Sequence, residues 1–349
     1  MERIRMEHGS GGRATGELIG EIFEKAFSNE TLSQMEDAAV VAGSGRIAVT
    51  TDSFVVTPLE FPGGDIGRLC ICGTVNDLLM RGATPKYLTC GFILEEGADI
   101  EQLKRIASSM ALTAKEAGVQ IIAGDTKVIE GSGGVYINTT GVGFVPENVD
   151  IKASNSATED VIIVSGNLGD HHATVLSQRM EIKNSIESDN APLVEMVGKL
   201  LKENIEVHVL RDVTRGGLAT VLKELAQSSE KVFEIEEEKL PVDPQVKDFC
   251  GLLGLDPLYM GNEGKLVAIV SKKDAERALE IIRSSRYGEH AAIVGKVSDG
   301  QPVTVMEKIC DEQSGNECSK TIGKLILKTR IGGRRVLKEL QGEGLPRIC

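Results

Sequence analysis

At 349 residues the chain exceeds one ordinary domain, and its length favours two, each large enough to bury its own core. A content of 41% hydrophobic and 26% charged residues excludes a disordered chain. Lys and Arg total 39 against 52 Asp and Glu, and the resulting net charge of -13 argues against nucleic acid or an anionic membrane as the main partner. Phosphate ligands stay open, because a magnesium ion and backbone amides can hold them inside an acidic protein.

With no Trp, four Tyr and eight Phe, the chain has little material for stacking single-stranded bases. No apolar run is long enough for a membrane-spanning helix. The opening MERIRMEHGSGG lacks the apolar core of a secretion signal. The expected location is cytoplasmic, and seven scattered cysteines then read as reduced thiols.

After the glycine-rich HGSGG loop, Leu18, Ile19, Ile22, Phe23 and Ala26 recur at helical spacing and predict a helix over 15–27. A strand is expected over 47–56, then a helix introduced by Gly63, Gly64 and Asp65 and ended by Gly82. Strand 87–94, helix 100–117 closed by Gly118, and strands 119–123 and 135–144 follow. Adjacent strands among alternating elements favour a mixed α+β layer over a purely parallel sheet. The polar stretch 146–159 is the expected boundary. Beyond it come strand 161–164, a helix after Gly166–Gly169, helices 192–203 and 217–227, strands 233–235 and 266–270, helix 273–285 and strand 291–297. Residues 301–319 are expected to form a loop-rich insertion, and the chain ends on a thiol in GEGLPRIC.

Acidic residues beside small or polar neighbours at element ends are the most informative pattern. They are Asp37 in EDAAV, Asp52 in TTDSF, Asp77 in VNDL, Asp125 in AGDTK and Asp212 in RDVTRGG. Hard cations such as magnesium take oxygen ligands, and Mg-nucleotide sites combine a few carboxylates with phosphate oxygens. Each carboxylate taken singly is equally well a helix cap or turn residue. The loop from His8 to Gly12 suits a phosphate or is a plain turn; it is no Walker loop, because no Gly-Lys-Ser/Thr follows. Arg211, Arg215, Gly216 and Gly217 form a second anion candidate, with a capped helix and surface arginines as the ordinary alternative. Glu263 in GNEGK is expected to face a cleft as a base, or to sit in a turn. Lys127 suits a phosphate or is a solvated lysine. His171 and His172 read as packing groups. Cys70 and Cys72 point to different helix faces, while Cys310 and Cys318 make at most a weak metal pair. Cys349, a thiol at the end of a Gly-containing arm, suits a movable nucleophile.

HGSGG, EDAAV, TTDSFVVTPLEFPGGDIG, CGTVNDLLMRGATP, AGDTKV, RDVTRGGLA, GNEGKL, IGGRR and the final LPRIC together resemble the HypE family of hydrogenase maturation factors over nearly the whole chain. That family lies in the superfamily of aminoimidazole ribonucleotide synthetase and selenophosphate synthetase. RDVTRGGLA occurs in relatives, whereas the PRIC ending after IGGRR is specific to HypE.

The resemblance implies a two-domain α+β synthetase fold. Residues 1–146 would bind ATP and pair sheets across a homodimer, residues 147–335 would form a C-terminal α+β domain, and residues 336–349 a mobile tail ending in Cys349. By the same resemblance Asp37, Asp52, Asp77 and Asp212 match carboxylates that hold Mg2+ and nucleotide phosphates. Asn76, Asp125 and Thr126 fall in nucleotide-site motifs, and Gly9, Ser10, Gly11 and Gly12 match a segment that folds over ATP. Lys127 and Glu263 match positions near the modified tail, and Cys349 matches the cysteine that carries the cargo.

The implied chemistry starts with the carbamoyltransferase HypF loading Cys349. ATP-dependent dehydration of the S-carboxamide to a thiocyanate follows, and cyanide passes through the HypC–HypD scaffold complex toward the iron of a [NiFe] hydrogenase. The 301–319 insertion departs from the usual family pattern. Two rival readings are a synthetase or kinase of a free small molecule, and a thiol carrier that never consumes ATP.

Overall fold

The computed structural model describes residues 3–9, 13–34, 41, 43, 45–298, 303–308 and 317–338. Ser10, Gly11, Gly12, Asp37, Cys310 and Cys349 lie outside the described residues. The described residues divide into two compact units: the first holds those up to Val149 and Asp170–Val197, the second Asp150–Gly169 and those from Gly198 to Lys338.

In the first unit the predicted N-terminal helix is one helical run in three parts. These are α1 (Arg13–Leu18), a π-helical stretch Ile19–Glu24 and α2 (Lys25–Phe27). Its apolar stripe buries Leu18, Ile22, Phe23 and Phe27, and the Phe23 ring stacks on Phe92 at a centroid distance of 4.3 Å. Strand β1 (Ile47–Phe54) is followed by a short ladder of β2 (Glu60–Phe61) and β3 (Gly64–Asp65), which local patterning does not predict. Asp65 then accepts a hydrogen bond from the Arg68 amide and caps α3 (Ile66–Met80). Strand β4 (Thr84–Glu95), α4 (Ile100–Ala117), β5 (Gln120–Ile129) and β6 (Val135–Phe144) complete a four-stranded sheet in the order β1-β6-β4-β5. Only β4 and β5 run parallel, so the layer is mixed as expected.

The segment 170–197 packs into this first unit, although the sequence places it in the second domain. It begins with α5 (Asp170–Arg179), and the chain passes to the second unit within α6 (Val194–Lys202). Long-range polar contacts hold it to the first unit. Asn76 binds Ala191 and Leu193, and the Arg179 Nε donates to the Thr57 carbonyl at 2.5 Å. Such contacts leave no trace in local periodicity.

The second unit is built on seven strands: β7 (Val161–Val164), β8 (Val207–Asp212), β9 (Val232–Glu236), β10 (Leu266–Val270), β11 (Ala292–Ser298), β14 (Lys324–Lys328) and β15 (Arg334–Leu337). They are ordered β15-β14-β9-β11-β7-β10-β8, with β14 and β9 parallel and the other pairs antiparallel. Helix α7 (Gly217–Ser229) buries Leu218, Val221, Leu222 and Leu225 in a core with Phe233, Val267 and Leu325. Helices α8 (Pro244–Leu253) and α9 (Ala275–Arg283) complete the unit. The α8 start carries a readable Asp-Pro signal, Asp243 accepting from the Gln245 amide, that the periodicity reading passed over.

Two further expectations are corrected. The 301–319 stretch is not loop-rich throughout, because β12 (Val303–Lys308) and β13 (Glu317–Ile322) pair as an antiparallel hairpin. The tail cannot begin at 336, since β15 runs to Leu337 and pairs with β14. In both cases alternating polar and β-branched residues masked a strand as a polar loop.

At the base of β8, His208 Nδ1 lies 2.7 Å from Asp160 Oδ2 and Nε2 lies 3.4 Å from Glu206. Desolvation opposes the imidazolium, but hydrogen bonds and charge from Asp160 and Glu206 raise its pKa overall. A raised folded pKa contributes stability that is complete below the unfolded value of about 6.5 and is lost as pH climbs through the folded one. Thermal unfolding of His208→Gln against the parent should therefore show a larger deficit at about pH 5.5 than at about pH 9. Equal deficits at both would remove this linkage.

Candidate functional site

Strand β1 alternates its side chains, so Thr50, Asp52 and Phe54 share the face opposite helix α3. On α3 the matching face presents Gly73 and, four residues on, Asp77. The Thr50 hydroxyl donates to Asp77 Oδ2 at 2.8 Å, and Asp52 Oδ2 lies 3.9 Å from where a Cβ on Gly73 would sit. The same Cβ would come within 2.9 Å of two Phe54 ring carbons, so glycine is what lets α3 approach β1. Two half-exposed carboxylates thus flank one helix–strand seam. Their donor atoms are oxygens only, the set a hard cation takes together with phosphate oxygens. Among the described residues no three His, Cys, Asp or Glu side chains converge on a preformed metal site.

Asn76 is buried and uses both ends of its carboxamide. Nδ2 donates to the Ala191 carbonyl at 3.0 Å and Oδ1 accepts from the Leu193 amide at 2.9 Å. It holds the chain leading into α6, a structural task that the nucleotide motif does not reveal.

Asp125 and Lys127 lie elsewhere on the sheet. Asp125 stands opposite Gly91 and Lys127 opposite Ile93 on the face turned away from α3, while Thr126, opposite Phe92, is buried on the helix side. Lys127 Nζ sits 2.6 Å from both Asp125 carboxylate oxygens. That hydrogen bond holds the Asp125 carboxyl below its ordinary range. Both side chains are about two-thirds exposed, at 63% and 67%, so the pair adds little to stability and is open to a ligand. The one AGDTK motif therefore serves two faces.

The second unit contributes Asp212 and Glu263. Asp212 ends β8 opposite Leu266, the first residue of β10. Glu263 sits in the 261–265 loop just before β10 and is only 4% exposed. It does not face an open cleft as the Gly-flanked turn suggests, because Val213 draws this loop inward: its N–H donates to the Lys265 carbonyl at 2.9 Å and its carbonyl accepts from the Asn262 amide at 3.0 Å. Lys265 is buried beside it, its side chain within 3.1 Å of the Cβ position of Gly166. Gly217, with φ +63°, opens α7; a Cβ there would lie 2.5 Å from the Leu258 carbonyl oxygen. Arg211 is exposed and 3.4 Å from Glu224. The ends of β7 and β8 and the start of β10 thereby bring 165–169, 212–217 and 261–265 to one end of the sheet. Sequence reading singled out Glu263 here but missed its neighbour Asn262, whose fully buried amide had no local signal beyond its place in GNEGK.

His171 and His172 are buried in the first turn of α5, with His171 Nδ1 2.7 Å from the Ser188 hydroxyl. Burial pushes the His172 imidazole down to about 4, so it packs neutral, as the sequence reading has it. Cys70 and Cys72 are both buried within α3.

Residues 35–145 match the family model of the AIR synthase related protein, N-terminal domain, and residues 157–308 that of its C-terminal domain. Carbamoyl dehydratase HypE from Cupriavidus necator is 46% identical over 99% of this chain and 95% of its own length. A crystal structure of hydrogenase maturation protein HypE in complex with ATP superposes with a TM-score of 0.90 at 44% identity, covering 99% of both chains. HypE from a HypE–HypF complex superposes with a TM-score of 0.76 at 44% identity, covering 93% of this chain and 99% of that one.

The close seam can be tested directly. Gly73→Ala should destabilise the protein by about 1–3 kcal/mol through overpacking against Phe54, read by denaturant unfolding. An unchanged midpoint would show that α3 has room to spare.

Proposed function

This chain belongs to the HypE family, and from that premise we propose which residues carry its reaction. The protein is an ATP-dependent carbamoyl dehydratase of hydrogenase maturation. The observation that carries the reading is the near-complete superposition on a HypE solved with ATP, with Asp52 beside Gly73 and Asp77 beside Thr50 along one helix–strand seam.

Cys349 accepts the carbamoyl group as an S-carboxamide from the carbamoyltransferase HypF; a relative of this chain has been solved in complex with HypF. The carboxamide oxygen is a poor leaving group, so its phosphorylation by ATP turns it into phosphate. Loss of that phosphate and of both nitrogen protons leaves the thiocyanate. Glu263 takes the protons, and its burial keeps water from competing for the carboxylate. Lys127, open on the far face of β5, assists near the tail with Asp125 as its partner.

Asp37, Asp52, Asp77 and Asp212 are assigned to Mg2+, and Gly9, Ser10, Gly11, Gly12, Asp125 and Thr126 to the nucleotide. Asn76 supports that site by fixing the chain behind Asp77. Magnesium would neutralise charge on the transferring phosphoryl group. The all-oxygen seam of Asp52, Asp77 and Thr50 fits such an ion.

We also assign a homodimer, formed through the face of the four-stranded sheet turned away from α3. Ile47, Val49, Ile93 and Ile129 stand exposed there, Val49 by 64%. An apolar sheet face of this kind calls for a second sheet. HypC–HypD is assigned as the acceptor of cyanide, and the cytoplasm, where ATP and a reduced thiol coexist, as the location. No helix among the described residues is long and apolar enough to cross a membrane.

Mass spectrometry of the intact protein and its tail peptide, after incubation with HypF, carbamoyl phosphate and Mg-ATP, tests the chemistry. The expected result is a carbamoyl gain on Cys349 followed by loss of one water only when ATP is present. A carbamoyl group that persists supports a carrier, and an unmodified tail in an active mixture supports a free-substrate synthetase. Cys349→Ala should abolish loading, and Asp77→Asn should weaken Mg-ATP binding in calorimetry. For assembly, Val49→Glu should convert a dimer to a monomer in sedimentation at micromolar protein; an unmoved sedimentation coefficient places the interface elsewhere.

A further inference from the structure

The loop carrying Glu263 departs from the regular β8–β10 ladder. In a continued β8–β10 ladder Val213 would bond one partner residue, yet its N–H goes to the Lys265 carbonyl and its carbonyl to the Asn262 amide. Glu263 and Gly264 therefore form a two-residue excursion whose two ends are pinned to the same residue, in the manner of a bulge. Backbone pairing with Val213 closes the base of this excursion.

The side chain of Asn262 ties the excursion to its surroundings. It is 0% exposed, and its carboxamide binds in three directions: Oδ1 accepts from the Gly169 amide at 2.8 Å, and Nδ2 donates to the Val213 carbonyl at 2.9 Å and the Met260 carbonyl at 3.3 Å. Gly169 ends the loop that follows β7, and Val213 follows Asp212 at the end of β8. One planar group with an acceptor and two donors thus joins all three loops that meet at this end of the sheet. No hydroxyl or carboxylate offers that set, since an ionised Asp is acceptor-only.

We infer that Asn262 is a positioning residue for dehydration: it rivets the Glu263 excursion to the β7 and β8 ends and so sets where the Glu263 carboxylate stands. The inference rests on the reading of Glu263 as the base. It goes further in assigning the aim of that base to a residue that touches no substrate.

The test uses full-length protein carbamoylated by HypF, followed in a single turnover at saturating Mg-ATP by the mass loss of one water. Rates are normalised to folded protein, and ATP affinity is measured by calorimetry. Asn262→Ala should lower the dehydration rate by about 10- to 100-fold, with carbamoyl loading and ATP affinity near the parent's. A rate per folded molecule equal to the parent's, with only the melting temperature reduced, overturns the inference. Asn262→Asp supplies a second readout and serves if Ala at this position prevents folding. Its ionised carboxylate keeps the Gly169 contact but opposes the Val213 and Met260 carbonyls, whereas its protonated form donates again. Its rate relative to the parent should therefore recover as pH is lowered, and a flat ratio counts against the rivet. Glu263→Gln run in parallel separates the two failures. Normal dehydration there sinks the base and the inference with it; an inactive Glu263→Gln beside a fully active Asn262→Ala sinks the inference alone.

Discussion

The first unit depends on how closely α3 lies against its sheet. A helix that buries nearly every side chain must find small residues where backbones meet, and Gly73 supplies one under the Phe54 ring. A pair of hydroxyls, Thr74 on α3 and Thr139 on β6, bonds across the same contact and satisfies polar groups that no water can reach. The closeness has a chemical consequence. It sets Asp52 and Asp77, 25 positions apart in the chain (77 − 52), along a single seam, so the carboxylates are preorganised by packing and not by a loop.

Both units solve a second problem in the same way. Connecting segments leave backbone groups outside any ladder or helix, and each such group costs about 1–3 kcal/mol if buried without a partner. In each unit a buried asparagine supplies the missing partners. Asn76 takes Ala191 and Leu193 in the first unit, and Asn262 takes Gly169, Val213 and Met260 in the second. A carboxamide suits the task because it donates and accepts in one plane without charge. Burying a carboxylate or an ammonium there would require a counter-ion as well.

The four-stranded sheet separates two kinds of electrostatics. Its helix side holds the Asp52–Asp77 seam, partly shielded and suited to a bound cation. Its open side shows Asp125 and Lys127 beside exposed isoleucines and Val49, where charge is solvated until something covers it. A partner that covers this face raises the worth of the Lys127 charge, because the same ion pair is stronger once water is excluded. A partner seated on this face would in this way act on the Asp125–Lys127 pair of β5.

Much of this was readable in the chain itself. Helical periodicity placed α4, β-branched patterning β1 and β6, short apolar runs β7 and β10, and the flanking Gly63, Gly64, Asp65 and Gly82 placed α3, all close to their observed limits. The motifs marked Asp52 and Asp77 by their small or polar neighbours at element ends, and Asp125, Lys127 and Glu263 by the glycines of AGDTK and GNEGK. The tertiary structure alone decided which of these face one another. The alternation of β5 sent Asp125 and Thr126 to opposite faces, and the two hydrogen bonds that Val213 shares with the 262–265 loop drew Glu263 inward where a cleft-facing base or a plain turn was expected. It also gave residues 170–197 to the first unit and paired β12 with β13 where a loop-rich 301–319 was expected. Local sequence carries propensity, but burial, hydrogen-bond partners and sidedness arise from segments distant in the chain, and those are decided only when the whole chain packs.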